Sequence, residues 1–152
     1  MTGRFPIEDV SPVLDCGQYP AKAVVGELVP VSARSYREGH QALGCNVVLR
    51  GPDGEPGPFT RMQPGDVGTD RWHATVRPDA VGNWSFTVEA FGDPYLSWRD
   101  AVEKKIDAGQ GVEDLANDLA EGAEVLDLAA ALVPEKSRAG VVAAAKSLRD
   151  EV

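Results

Sequence analysis

The sequence predicts an α+β protein: an antiparallel, immunoglobulin-like β-sandwich followed by an antiparallel helical hairpin or partial bundle. Three observations carry this. Composition changes near Asp93: nine of the eleven prolines and eight of the ten aromatics precede it, and Ala, Leu, Glu, Asp and Lys dominate the C-terminal remainder. That is a change from strand-forming to helix-forming residues. "RWHATVRP" alternates Trp72, Ala74 and Val76 against Arg71, His73, Thr75 and Arg77, and "GNWSFTVEAFG" alternates Trp84, Phe86, Val88 and Ala90 against Ser85, Thr87, Glu89 and Phe91; period two marks half-buried strands. Leu115, Leu119, Gly122, Leu126, Ala129 and Val133 recur at spacings of four and three, the apolar stripe of an amphipathic helix.

Taken in order, "IEDVSPVLD" is a short strand that Pro12 interrupts. A strand holding proline belongs at a sheet edge. "AVVGELVPVSARSY" puts Val25, Glu27, Val29, Val31 and Ala33 on one side, with a bend or bulge at Gly26 and Pro30. "GCNVVLRG" is a strand with Val47 and Leu49 on one face. "GPDGEPGP" and "QPGDVGTD" are loops flanking a short strand at "FTRM". "RPDAVGN" is a hairpin-type connection between the two alternating strands. Short strands at this spacing indicate a sandwich.

The helices begin where Asp93 serves as N-cap and Pro94 occupies the first helical position. Gly109 stops the first helix and Pro134 the second. Ser137 is expected to cap a third, striped by Val141, Ala144, Ala145 and Leu148. Residues 1–93 are therefore assigned to the sandwich and 94–152 to the helices. Phe91, Tyr95 and Trp98, near the junction, are expected to pack between the two.

Net charge is -9, and neither part holds a cluster of Lys and Arg. Nucleic acid and anionic membranes, which select basic patches, are not expected partners. "MTGRFPIEDV" lacks the apolar run of a secretory signal and no stretch is long enough to span a membrane, so the expected location is cytoplasmic. Cys16 and Cys45 are far apart, without ligand spacing to each other or to His40 and His73. They are expected to be reduced, mostly buried thiols, with no metal and no cofactor.

Catalytic patterns are not found. "GPDGEPGP" lacks the Lys-Ser/Thr and helix of a phosphate loop. With 24 carboxylates, some pairs must lie close, so no acid–base pair can be picked out. His40 and His73 are expected at the surface. Trp72, Trp84 and Phe86 could stack on sugar rings, but they share parity with apolar neighbours, which assigns them to the core.

Two longer stretches, "DCGQYPAKAVVGELVPVSARSYREGHQALG" and "GDPYLSWRDAVEKKIDAGQGVEDLANDLAEGA", resemble the N-terminal region of the bacterial α-1,4-glucan:maltose-1-phosphate maltosyltransferases of the α-amylase clan. The strand pair between them resembles the same region. The resemblance implies an enzyme that transfers maltosyl units from α-maltose 1-phosphate to a glycogen-type α-1,4-glucan. This segment would be its non-catalytic scaffold and dimerisation module, partnered by a second copy through sandwich and helices and by the catalytic barrel of the same full-length chain. α-Glucan would be a partner of the whole enzyme. The family's helices are inserted before the last sandwich strand, so the comparison implies that the chain stops before that strand, with an open edge that favours self-association. No catalytic residue carries over, because the family's nucleophile and acid belong to the barrel. Within "KKIDAGQG", the resemblance implies an interface or acceptor-side role for Lys105, Asp107 and Gln110. The plainer reading of those residues is a helix C-terminus. The alternatives to the scaffold reading are a free-standing carbohydrate-binding module and a protein-interaction adaptor.

Overall fold

The structure is a computed structural model that describes residues 5–39 and 41–151. His40, expected in a surface loop, lies outside the described residues. Among those described, seven strands precede three α-helices. The strands are β1 (Ile7–Ser11), β2 (Val29–Ser35), β3 (Leu43–Arg50), β4 (Pro56–Arg61), β5 (Gln63–Pro64), β6 (Arg71–Val76) and β7 (Ser85–Gly92). The helices are α1 (Pro94–Asp107), α2 (Ala116–Ala130) and α3 (Glu135–Asp150). The chain divides into two compact units. One comprises Leu43–Gly92 with the residues up to Gly39; the other comprises Asp93 onward with the residues next to Ala42.

In the first unit a four-stranded sheet, ordered β1-β2-β6-β5, and a three-stranded sheet, ordered β4-β3-β7, are antiparallel throughout. Val31, Ala33, Cys45, Val47, Met62, Val76 and Val88 form one buried cluster, which Leu49, Trp72, Ala74, Phe86 and Ala90 pack against. The alternating residues thus point inward from both sheets, as their parity requires. β1 ends at Ser11, before Pro12, and lies at a sheet edge as expected.

Four strand-level expectations need correction. β2 begins only at Val29: Val25 is 51% exposed, and residues 24–27 make a turn closed by Glu27 N–H donating to the Val24 carbonyl at 3.0 Å. Gly26, at φ +84°, lies in that turn, and the left-handed conformation ends any extended run. "RPDAVGN" is not a hairpin, since β6 and β7 belong to different sheets. Alternation reports which side chains face the core; both strands face it, from opposite sheets. β4 starts at Pro56 and β5 occupies Gln63–Pro64, each inside a stretch expected to be all loop. Trp84 is not in the core cluster. Its ring lies beside Gly51 and its indole N–H donates to the Ala80 carbonyl at 3.0 Å. Trp72 does pack on the core, with its indole N–H donating to the Ser35 carbonyl at 3.1 Å.

In the second unit, Asp93 caps α1 as expected: its carboxylate accepts from Leu96 N–H at 2.9 Å, and Pro94 follows it. Ala42 braces the same turn, its carbonyl accepting from Asp93 N–H at 2.9 Å and its N–H donating to Ser97 Oγ at 2.8 Å. α2 ends at Ala130 rather than at Pro134, and Pro134, not Ser137, is the residue that precedes α3. A proline at that position has the φ a helix start needs. The buried residues here are Val102, Leu115, Gly122, Ala123, Ala130 and Ala145. Trp98 finds its partner in α2: a Cβ on Gly122 would fall inside its indole ring, and its N–H donates to the Asp118 carbonyl at 2.6 Å. Tyr95 packs beside it, ring centroids 5.9 Å apart. Phe91 lies under the Arg61 guanidinium, 4.9 Å from its ring centroid.

Candidate functional site

The residues singled out in the sequence sit at the end of α1. Ala108 is the C-cap and Gly109, at φ +85°, turns the chain away. Gly109 N–H donates to the Ile106 carbonyl at 2.8 Å and Gln110 N–H to the Lys105 carbonyl at 3.1 Å. This pair of crossed bonds is the Schellman arrangement, which satisfies carbonyls a helix end leaves open. Lys104 and Lys105 occupy the last turn, where the helix dipole favours cations. The Lys105 ammonium is committed further, 2.6 Å from Asp118 Oδ1 near the start of α2. Asp107 and Gln110 are exposed. The three residues are therefore close along the chain, but Lys105 turns to α2 while Asp107 and Gln110 remain at the surface.

A second feature is a groove of about 620 Å³ on the sandwich. Register pairs Ser11 with Ser32, Ser32 with His73 and His73 with Gln63, one row crossing all four strands of the larger sheet. These four line the groove with Thr75 and Arg61, among others. His73 is exposed, on the side of β6 opposite Trp72, as the alternation predicts. Hydroxyls, an amide, an imidazole and a guanidinium can hydrogen-bond a neutral polar molecule or water. Among the described residues that line it, none is a carboxylate that could act as nucleophile or acid.

The third feature is the connection between β1 and β2, residues 12–28, which sequence reasoning half absorbed into a strand. Val13, Leu14, Tyr19, Val24, Val25 and Leu28 are all exposed there, from 48% at Leu14 to 71% at Val24. Yet its backbone is tightly tied. Leu14 and Tyr19 form a β-bridge, and Gly17 N–H donates to the Leu14 carbonyl at 2.9 Å. Val24 N–H donates to Glu27 Oε2 at 2.8 Å, Gly26 N–H to the Pro78 carbonyl at 2.7 Å, and Arg77 Nε to the Gly26 carbonyl at 3.0 Å. Asp15, Cys16 and Gly17 take φ of 48°, 55° and 87° in succession, a conformation that few residues adopt unless the surroundings hold them there. The available signal was "CGQYPAKAVVGE" itself, a long stretch whose proline and two glycines do not suit a central strand.

The thiols differ from expectation. Both are free, but Cys16 is exposed and Cys45 is buried. Burial pushes the Cys45 thiol up from 9.0 to about 11, against the opposing pull of the Ser35 hydroxyl and the Arg61 charge. A thiol so shifted is a poor nucleophile at neutral pH. Among the described residues, no group of three or more His, Cys, Asp and Glu is placed to hold a metal ion. No helix among them is long and apolar enough to cross a membrane.

Comparison with known proteins supplies what the geometry leaves open. Residues 3–152 match the domain family described as "Alpha-1,4-glucan:maltose-1-phosphate maltosyltransferase, domain N/S". The chain is 51% identical over 152 residues to α-1,4-glucan:maltose-1-phosphate maltosyltransferase 1 of Streptomyces coelicolor, covering 99% of this chain and 22% of the relative. It is 43% identical over 175 aligned positions to the enzyme of that name in Mycolicibacterium smegmatis, covering 98% and 25%. For Mycobacterium tuberculosis H37Rv the figures are 41% over 169, covering 97% and 24%. The chain thus spans about a fifth to a quarter of the length of the relatives it matches.

Proposed function

Because this chain belongs to the domain N/S family of the α-1,4-glucan:maltose-1-phosphate maltosyltransferases, we propose that it is a non-catalytic scaffold and dimerisation module of such an enzyme. The enzyme would transfer maltosyl units from α-maltose 1-phosphate to a glycogen-type α-1,4-glucan. The observation that carries this is coverage: the relatives match essentially the whole chain, while the chain accounts for 22% of the first of them. The catalytic barrel would be the partner within one polypeptide, a second copy would pair through sandwich and helices, and α-glucan would be bound by the whole enzyme. The cytoplasm, where sugar phosphates are retained, is the proposed location. Lys105, Asp107 and Gln110 keep a proposed interface or acceptor-side role, which Asp107 and Gln110 are exposed enough to fill.

The carbohydrate-binding alternative is weakened by the aromatics. A stacking platform needs Trp72, Trp84 and Phe86 to face solvent together, and Trp72 and Phe86 pack on the core.

The test is phosphate release from α-maltose 1-phosphate in the presence of glycogen. The chain alone should release none above the buffer rate. A hybrid in which it replaces the matching segment of the S. coelicolor enzyme should release phosphate and extend the glucan. Release by the isolated chain would overturn the non-catalytic assignment, and an inactive, folded hybrid would overturn the scaffold role. Sedimentation of the chain as a monomer at tens of micromolar would remove dimerisation.

A further inference from the structure

We propose that residues 12–28 form a preformed docking surface for the part of the maltosyltransferase polypeptide outside the matched segment. This inference rests on the scaffold reading above. An apolar loop ordinarily either buries its side chains or is loosely held. This one does neither: Val13, Leu14, Tyr19, Val24, Val25 and Leu28 are all exposed on a backbone fixed by bonds within the loop and to Arg77 and Pro78. Concentrated, exposed apolar surface on an ordered frame is the mark of an interaction site. Order before contact also lowers the entropy that docking must overcome.

The size of the surface selects its occupant. A stable contact between separate chains uses about 20–30 residues a side, whereas this one offers six large apolar side chains from a single connection. That is too little to hold a second copy by itself. Within one polypeptide the two surfaces meet at an effective concentration in the millimolar range, and six side chains suffice. The relatives supply the needed polypeptide, since 78% of the S. coelicolor enzyme (100% minus the 22% covered) lies outside the match. The fitting partner is an apolar face on that remainder.

The experiment compares the free chain with the hybrid enzyme, each with and without Val24→Ser and Leu28→Ser together. Both residues are mostly exposed in the free chain, so its melting temperature should be unchanged. The hybrid's should fall by about 4 °C or more, and the amides of residues 12–28 should be protected from hydrogen exchange in the hybrid but not in the free chain. Val24→Leu, which keeps the apolar surface, should behave as the parent in both. Equal effects of the serine substitutions in both proteins, or none in either, overturn the inference, as does a free-chain dimer that the substitutions dissociate, which makes the surface a contact between copies. An unmodified hybrid without activity removes the scaffold reading and this inference with it; an active hybrid indifferent to the substitutions removes this inference alone.

Discussion

The two units of the molecule solve burial in opposite ways. The sandwich encloses a continuous cluster of branched and sulfur-containing side chains, Val31, Cys45, Val47, Met62, Val76 and Val88, supplied by both sheets. Losing one leaves several neighbours to share the space. The helical unit buries mostly alanine and glycine, namely Gly122, Ala123, Ala130 and Ala145, with Val102 and Leu115. Small residues let helices approach closely but bury little area each. A single large side chain, Trp98, fills the place that Gly122 leaves. Stability is thus distributed in one unit and concentrated at one contact in the other.

The largest test of that contrast is Trp98→Ala. It removes both the packing on Gly122 and the bond to the Asp118 carbonyl, and should cost about 3 kcal/mol or more. Hydrogen exchange should show α1 and α2 losing protection while β2, β3 and β7 keep theirs. Equal loss in the strands would mean that the units unfold as one, and the contrast fails.

A smaller effect belongs to the sandwich alone. With the Cys45 thiol raised to about 11 in the fold against an ordinary 9.0, no cost arises below pH 9, where folded and unfolded chains both hold the proton. As pH rises from 9 to 11 the unfolded chain ionises first, and stability falls by about 3 kcal/mol before levelling off. Denaturation of Cys45→Ala over the same range should lack that component of the slope. An identical slope in parent and variant would show that Cys45 does not report on the sandwich core.

The smallest is Asp93→Ala, which unties the N-cap of α1 at a cost of about 1 kcal/mol. Its exchange signature should be confined to the first turn of α1, in contrast to the wider loss expected for Trp98→Ala.

How much of this was legible in the sequence depends on the range of the forces involved. Asp93 as cap, Pro94 behind it and Gly109 as terminator are local chemistry, and each sits where the sequence put it. The inward parity of β6 and β7 was equally local. Which strand β7 would pair with was not, because β3 lies some forty residues away and alternation does not name a neighbour. Ala23–Leu28 misled because Val25 and Glu27 share the parity of Val29, Val31 and Ala33, while its backbone bonds to Arg77 and Pro78 are tertiary. Trp84 misled because an apolar type in an apolar pattern says what a side chain prefers, not whether the fold has room for it; Cys16 misled because the usual burial of a free thiol says nothing of where its loop will lie. Of the candidate site, "KKIDAGQG" was legible as a helix end, whereas the Lys105–Asp118 pair depends on how α2 packs.

The three indoles carry a practical consequence. Each N–H is bonded to a different backbone carbonyl: Trp72 to Ser35 within the sandwich, Trp84 to Ala80 in the connection before β7, and Trp98 to Asp118 in the helical unit. In a proton–nitrogen correlation spectrum these give three side-chain signals, one from each region, and each proton is sensitive to the length of its own hydrogen bond. A partner or a second copy that touches one region will shift its own signal and leave the others in place, so the protein carries an intrinsic map of where it is being contacted, without any label attached to its surface.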